Sequence, residues 1–181
     1  MDILFILLIL SGFFFLAVML GGLFLPATWG IEKAVLVPAR PKELFPLLNE
    51  LERWQEWTIW SPEEEDFSLT YASHSTGEGA IQIWKSKRIN GRLTLTKSVV
   101  DQALEYRFEI DEGQLVVLGT LVLAAADPDY TQVAWRCQLD PLTGSNPIRR
   151  YQAYFLKNYF DTAMESSLAA LPALFSSTKL D

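Results

Sequence analysis

Ile3 to Leu25 is a run of 23 residues without a charge, ILFILLILSGFFFLAVMLGGLFL. No other feature restricts the folding of this chain as strongly. At a 1.5 Å rise per residue such a helix is roughly 34 Å long, enough for a hydrocarbon core of about 30 Å. The alternative is a cleaved secretory leader. Against it, the run is too long for a leader's apolar part, no basic residue precedes it, and Pro26-Ala27-Thr28 is a poor cleavage site. The reading is an uncleaved anchor over residues 1–27 and one further domain over residues 28–181. Gly21, Gly22 and Pro26 are expected to loosen the end of the anchor, and residues 26–30 to form a short linker. Lys33, Arg40 and Lys42 follow the run and no Lys or Arg precedes it. The positive-inside tendency then puts the domain in the cytoplasm.

The chain has 181 residues and a formal net charge of -7, and Asp2 is the only charged side chain before Glu32. The excess acid therefore sits in the domain. No basic stripe is present to displace phosphate counterions, which argues against nucleic acid, and no basic membrane-surface patch is apparent. With Cys137 as the one cysteine, no intrachain disulfide is possible.

Ile31 to Val37 reads as a strand stopped by Pro38 and Pro41. A helix follows with Leu44, Phe45, Leu47, Leu48 and Leu51 apolar, disturbed by Pro46. Segments near 67–73, 79–87, 92–99, 102–110, 114–125 and 130–139 have strand character and are separated by turn signals, the pattern of an antiparallel sheet. Alternation puts Leu104, Tyr106, Phe108 and Ile110 on one face, and Val133, Trp135 and Cys137 likewise. Leu115 to Ala126 is apolar on both faces, as for a central or doubly covered strand. Asn90-Gly91, Asp111-Glu112-Gly113 and Asp127-Pro128-Asp129 supply turns. Asn146-Pro147 opens a long helix running to about Leu171, with Pro172 ending or kinking it. Its apolar stripe, Ile148, Tyr151, Phe155, Tyr159, Met164, Leu168 and Leu171, is expected to cover the sheet. The fold class is α+β: a curved antiparallel sheet wrapped round a C-terminal helix. The gap between such a sheet and helix is a natural place for an apolar pocket.

The chain also carries Val37-Pro38-Ala39, Phe45 and Leu48, Arg53-Trp54-Gln55-Glu56-Trp57, and Trp60-Ser61-Pro62. Further on come Gly77-Glu78-Gly79, Trp84, Gly91, Val133-Ala134-Trp135 and Asn146-Pro147-Ile148-Arg149-Arg150-Tyr151. In this order and spacing they resemble the START-related helix-grip superfamily, SRPBCC, of the polyketide cyclase/dehydrase and lipid transport type. The likeness covers residue 31 to about 175, and the N-terminal anchor resembles a bacterial subgroup. It implies a pocket for lipids, quinones, polyketides or similar molecules, and it does not imply catalysis, because the fold hosts binders and enzymes alike.

The candidate lining of that pocket is Trp57, Trp60, Trp84, Tyr106, Phe108, Trp135, Tyr151, Phe155 and Tyr159. Each is weighed against plain core packing. Trp54, Trp57 and Trp60 recur every third residue and would fan over roughly 120° of an α-helix. No catalytic residue is assigned. His74, the one histidine, lies in a polar turn and has no visible orienting partner. No cofactor is called for. Glu63 to Asp66 reads as a solvated loop, and zinc spacing is absent, so no metal is expected. Arg107 and Arg136 fall on the outward parity of their strands. The expected function is membrane-tethered binding of a hydrophobic small molecule or lipid. The alternatives are a cyclase- or aromatase-like enzyme and an interaction module with a filled core. No protein partner is indicated.

Overall fold

The computed structural model describes residues 3–58, 67–72, 74–87, 90–142 and 146–176. The first helix, α1 (Ile3–Phe24), is followed by β1 (Gly30–Val37), α2 (Pro41–Asn49) and a short 3₁₀ helix (Leu51–Glu56). Then come β2 (Ser68–Ala72), β3 (Ile81–Lys85), β4 (Asn90–Val99), β5 (Ala103–Ile110), β6 (Leu115–Asp127), β7 (Tyr130–Leu139) and α3 (Pro147–Ser176). The strands form one antiparallel seven-stranded sheet in the order β1-β7-β6-β5-β4-β3-β2. Only β1 lies out of chain order, because α2 and the 3₁₀ helix carry the chain from one edge of the sheet to the other. The register shifts between Leu95 and Lys97 and between Ala125 and Asp127, where an extra residue bends a strand.

Cross-strand partners share a face, so the register sorts the interior into rows. Leu95, Tyr106, Gly119, Cys137 and Ile31 form one row, and Tyr71, Gln82, Leu93, Phe108, Val117 and Leu139 another. Alternation in β5 and β7 is as the sequence predicts, with every second residue buried. β6 is a central strand, between β5 and β7, rather than a doubly covered one, since Leu118 and Val122 are each 43% exposed on the convex side. Asn90 and Gly91 are also not a turn. They open β4, and the Trp84 ring lies over Gly91, where a Cβ would come within 1.9 Å of it.

The C-terminal end of α1 is not loose. α1 is continuous through Gly21 and Gly22, and a Cβ on Gly22 would meet Pro147 at 2.6 Å and Tyr151 at 2.9 Å. The glycines are the seat of α3. Residues 27–30 are likewise pinned rather than forming a free linker. Thr28 Oγ1 donates to Leu139 O (2.6 Å), the Leu142 amide to Ala27 O (3.1 Å), and the Trp29 indole to Ala153 O in α3 (2.8 Å).

Asn146 caps α3 as expected, its Oδ1 accepting from the Ile148 amide at 3.0 Å. The helix continues past Pro172 to Ser176. Its sheet-facing stripe holds Met164, Leu168 and Leu171 as expected and differs from the expected one in the first half of the helix. The face toward the sheet is Ala153, Phe160, Ala163, Met164, Ser167, Leu168 and Leu171. Ile148, Phe155 and Tyr159 are 54%, 66% and 50% exposed, and Tyr151 packs on α1. Small residues decide this, because Ala153, Ala163 and Ser167 let the helix approach β1 closely while the large aromatics cannot. Lys33 on β1 fixes the approach by pairing with Asp161 (3.1 Å) and Glu165 (2.9 Å).

Candidate ligand-binding site

Leu51, Trp54 and Trp57 lie three residues apart on a 3₁₀ helix and its C-cap. In a 3₁₀ helix, residues three apart eclipse. They therefore share one face instead of fanning as on an α-helix, and all three are at most 3% exposed. That face is pressed onto the sheet. Trp57 contacts Trp54 and Trp135 with ring centroids 5.4 Å apart in both cases, and Trp54 meets Tyr106 edge-on at 5.5 Å. The Trp135 indole donates to the Tyr106 hydroxyl at 2.8 Å, which lies 3.1 Å from Cys137 Sγ. Tyr106 can lie flat because residue 119, its cross-strand partner, is glycine. A Cβ there would stand 1.9 Å from the ring.

A second aromatic chain runs toward α3. Trp84 stacks on Phe108 (4.4 Å, 29°), Phe108 meets Phe160 edge-on at 5.5 Å, and Phe160 meets Trp29 at 5.8 Å. α3 lies closest to β1, and toward the opposite edge Phe67, Leu69 and Tyr71 pack on the core while staying partly exposed. Gln82 is half-buried in the same row as Tyr71 and Leu93. This flank of the core is apolar and partly exposed, with one amide among its side chains.

The buried indoles differ in one respect. Trp54 donates to Leu48 O (2.7 Å), Trp29 to Ala153 O and Trp135 to Tyr106. Trp57 Nε1 is buried with no acceptor among the described residues. A desolvated donor left unpaired costs about 1–3 kcal/mol, and buried polar groups almost always find a partner.

The inward rows among the described residues carry no carboxylate and no imidazole. Burial pushes the Tyr106 phenol well above its ordinary range, and it pushes the Cys137 thiol up to about 12, against which the Tyr106 hydrogen bond acts only partly. Both groups are neutral at physiological pH, so neither serves as a base or nucleophile there. His74 lies in an exposed turn, 3.2 Å from Glu78 O. A separate depression of about 440 Å³ is open to solvent, where Arg40, Lys42, Asp101 and Asp127 alternate with prolines and alanines.

Of the expected pocket residues, the structure gathers Trp57, Trp84, Tyr106, Phe108 and Trp135 inside the sheet. Phe155 and Tyr159 point away from it, Tyr151 sits on α1, and Trp60 lies outside the described residues, as does Glu63–Asp66. Sequence reasoning missed Gln82, Leu69 and Tyr71. Trp84 two residues along marks Gln82 as inward, but the isoleucines on either side point to the opposite reading.

A curved antiparallel sheet closed by a long C-terminal helix over an aromatic interior is a helix-grip domain. The chain belongs to the polyketide cyclase / dehydrase and lipid transport family, whose model matches residues 28–176. Solved structures share the fold at low identity. A Rhodobacter sphaeroides protein is 18% identical with a TM-score of 0.57, covering 84% of this chain and 95% of its own. The protein XoxI from Bacillus cereus is 13% identical with a TM-score of 0.58, covering 84% and 99%. A Helicobacter pylori protein is 11% identical with a TM-score of 0.58, covering 81% and 87%. The sequence matches no curated protein.

Proposed function

We propose that the protein binds a hydrophobic small molecule, such as a lipid, quinone or polyketide-like compound, on the concave face of its sheet while tethered to a membrane. Residues 1–27 are the anchor and residues 28–181 the binding domain. The observation that carries the reading is the indole N–H of Trp57, buried among aromatic rings with no acceptor among the described residues. A ligand carbonyl or hydroxyl would supply the missing acceptor, and its apolar body would lie along Trp84, Phe108 and the Phe67–Tyr71 flank. Burial of apolar surface, about 25 cal/mol per Å² before binding costs, provides the affinity. Family membership supports the same reading. Among the described residues the inward rows carry no carboxylate or imidazole, Lys33 is paired with Asp161 and Glu165, and burial holds the protons on Tyr106 and Cys137, which favours binding over catalysis.

One helix, Ile3–Phe24, is long and apolar enough to cross a bilayer. Its hydrogen-bonded seat on α3 supports a retained anchor over a removed leader. Lys33, Arg40 and Lys42 after it favour a cytoplasmic domain.

The test is an indole NMR spectrum of the full chain, labelled at its 6 tryptophans, before and after exhaustive delipidation. Removing a ligand should move the Trp57 resonance upfield and speed its exchange, leaving Trp54 and Trp29, which donate to backbone carbonyls, in place. A Trp57 resonance that ignores delipidation would refute the assignment.

A further inference from the structure

We propose that the outward face of the first half of α3 is a docking surface for an anionic phospholipid bilayer, seated where α1 leaves the membrane. This rests on α1 being the membrane span.

Position comes first. The Tyr151 hydroxyl donates to Val18 O at 3.1 Å, and Arg150 Nη1 donates to Leu23 O and Leu25 O at 2.8 Å each. Val18 is six residues before Phe24, so it lies about 9 Å from the helix end. The first turn of α3 is thus fixed at the depth where acyl chains give way to headgroups.

The chemistry of the face fits that depth. Ile148, Phe155 and Tyr159 are each at least half exposed, and Tyr154 is 45% exposed. The first three fall within about 40° of one another round the helix, opposite the sheet-facing residues Ala153 and Phe160. Large apolar and tyrosyl side chains in this number are out of place in water and are enriched at bilayer interfaces.

Charge selects the lipid. Residues 141–160 hold Arg149, Arg150 and Lys157 and no Asp or Glu, in a chain of net charge -7. Arg150 bonds to the end of α1, with Arg149 beside it and Lys157 two turns on along the same helix, flanking the stripe rather than standing on it. None pairs with a described carboxylate, so the charges of Arg149 and Lys157 are left to meet anionic headgroups.

The experiment places bimane at single cysteines in the full chain: Phe13→Cys in α1, Gln152→Cys beside the stripe, and Asp127→Cys in the β6–β7 turn. Native Cys137 is fully buried and stays unlabelled. Each protein is reconstituted in vesicles of phosphatidylcholine and phosphatidylglycerol containing brominated lipid, and circular dichroism confirms folding. Docking predicts quenching at 13 and 152 but not at 127. Joint reversal of Arg149 and Lys157 to Glu should reduce the docked fraction at 152 at least roughly fivefold, the effect of one basic residue near an anionic surface. Quenching at 13 with none at 152 would overturn the docking and leave the anchor standing. Absence of quenching at 13 would overturn the anchor and the docking with it. Equal quenching at 152 in pure phosphatidylcholine would overturn the choice of an anionic surface.

Discussion

Replacing Trp57 by Phe and, separately, Trp54 by Phe makes the same chemical change at two neighbouring sites. Both rings are at most 3% exposed, lie on one face of the 3₁₀ helix and touch each other at 5.4 Å. Each change removes the same ring volume and leaves a comparable void. They differ in the hydrogen-bond ledger. Trp54→Phe deletes a donor to Leu48 O and leaves that buried carbonyl without it, an added cost of about 1–3 kcal/mol. Trp57→Phe removes a donor that had no acceptor and relieves about 1–3 kcal/mol. In delipidated protein the two variants should therefore differ by about 2–6 kcal/mol, Trp57→Phe being the more stable. At roughly 2–4 °C per kcal/mol for a domain of this size, the midpoints should stand about 4–24 °C apart in thermal melts followed by circular dichroism. With ligand retained the gap should narrow, since Trp57→Phe then loses a bond as well. Equal destabilisation in the delipidated state would refute the claim that the Trp57 N–H is unpaired, and with it the head-group assignment.

Gly119→Ala should force Tyr106 off the sheet, adding overpacking of about 1–3 kcal/mol to the loss of its hydrogen bonds. Its melting midpoint should fall further than that of Tyr106→Phe, which keeps the ring. Cys137 should resist thiol reagents at pH 8 in the folded protein and react once in denaturant. Its folded pKa is raised above the ordinary value of 9, so the associated stability is present below pH 9 and is lost as pH rises toward about 12. Denaturant midpoints measured across that range, against Cys137→Ala, should show the decline for the native residue alone.

The strands were legible because each buries one face, so alternation in Leu104–Ile110 and Val133–Cys137 carries the register's parity directly. The face of α3 was not. Residues 148–160 carry two apolar stripes, and periodicity detects a stripe without naming its partner. The decisive signal was the small residues Ala153, Ala163 and Ser167 rather than the aromatics. The three-residue spacing of Trp54 and Trp57 did encode their shared burial, but only once their helix is 3₁₀. The flat seats of Tyr106 on Gly119 and Trp84 on Gly91 depend on cross-strand register and stay hidden in a linear reading. The unpaired Trp57 donor is invisible for a deeper reason, since it is defined by what the fold fails to bring near it.

Native mass spectrometry of the full chain, released from nanodiscs after mild purification, addresses the central claim most directly. The expected spectrum shows one apolar molecule per chain, retained on gentle activation and depleted in Trp57→Phe. Bare protein in repeated preparations, or a lipid load that ignores this substitution, would contradict it.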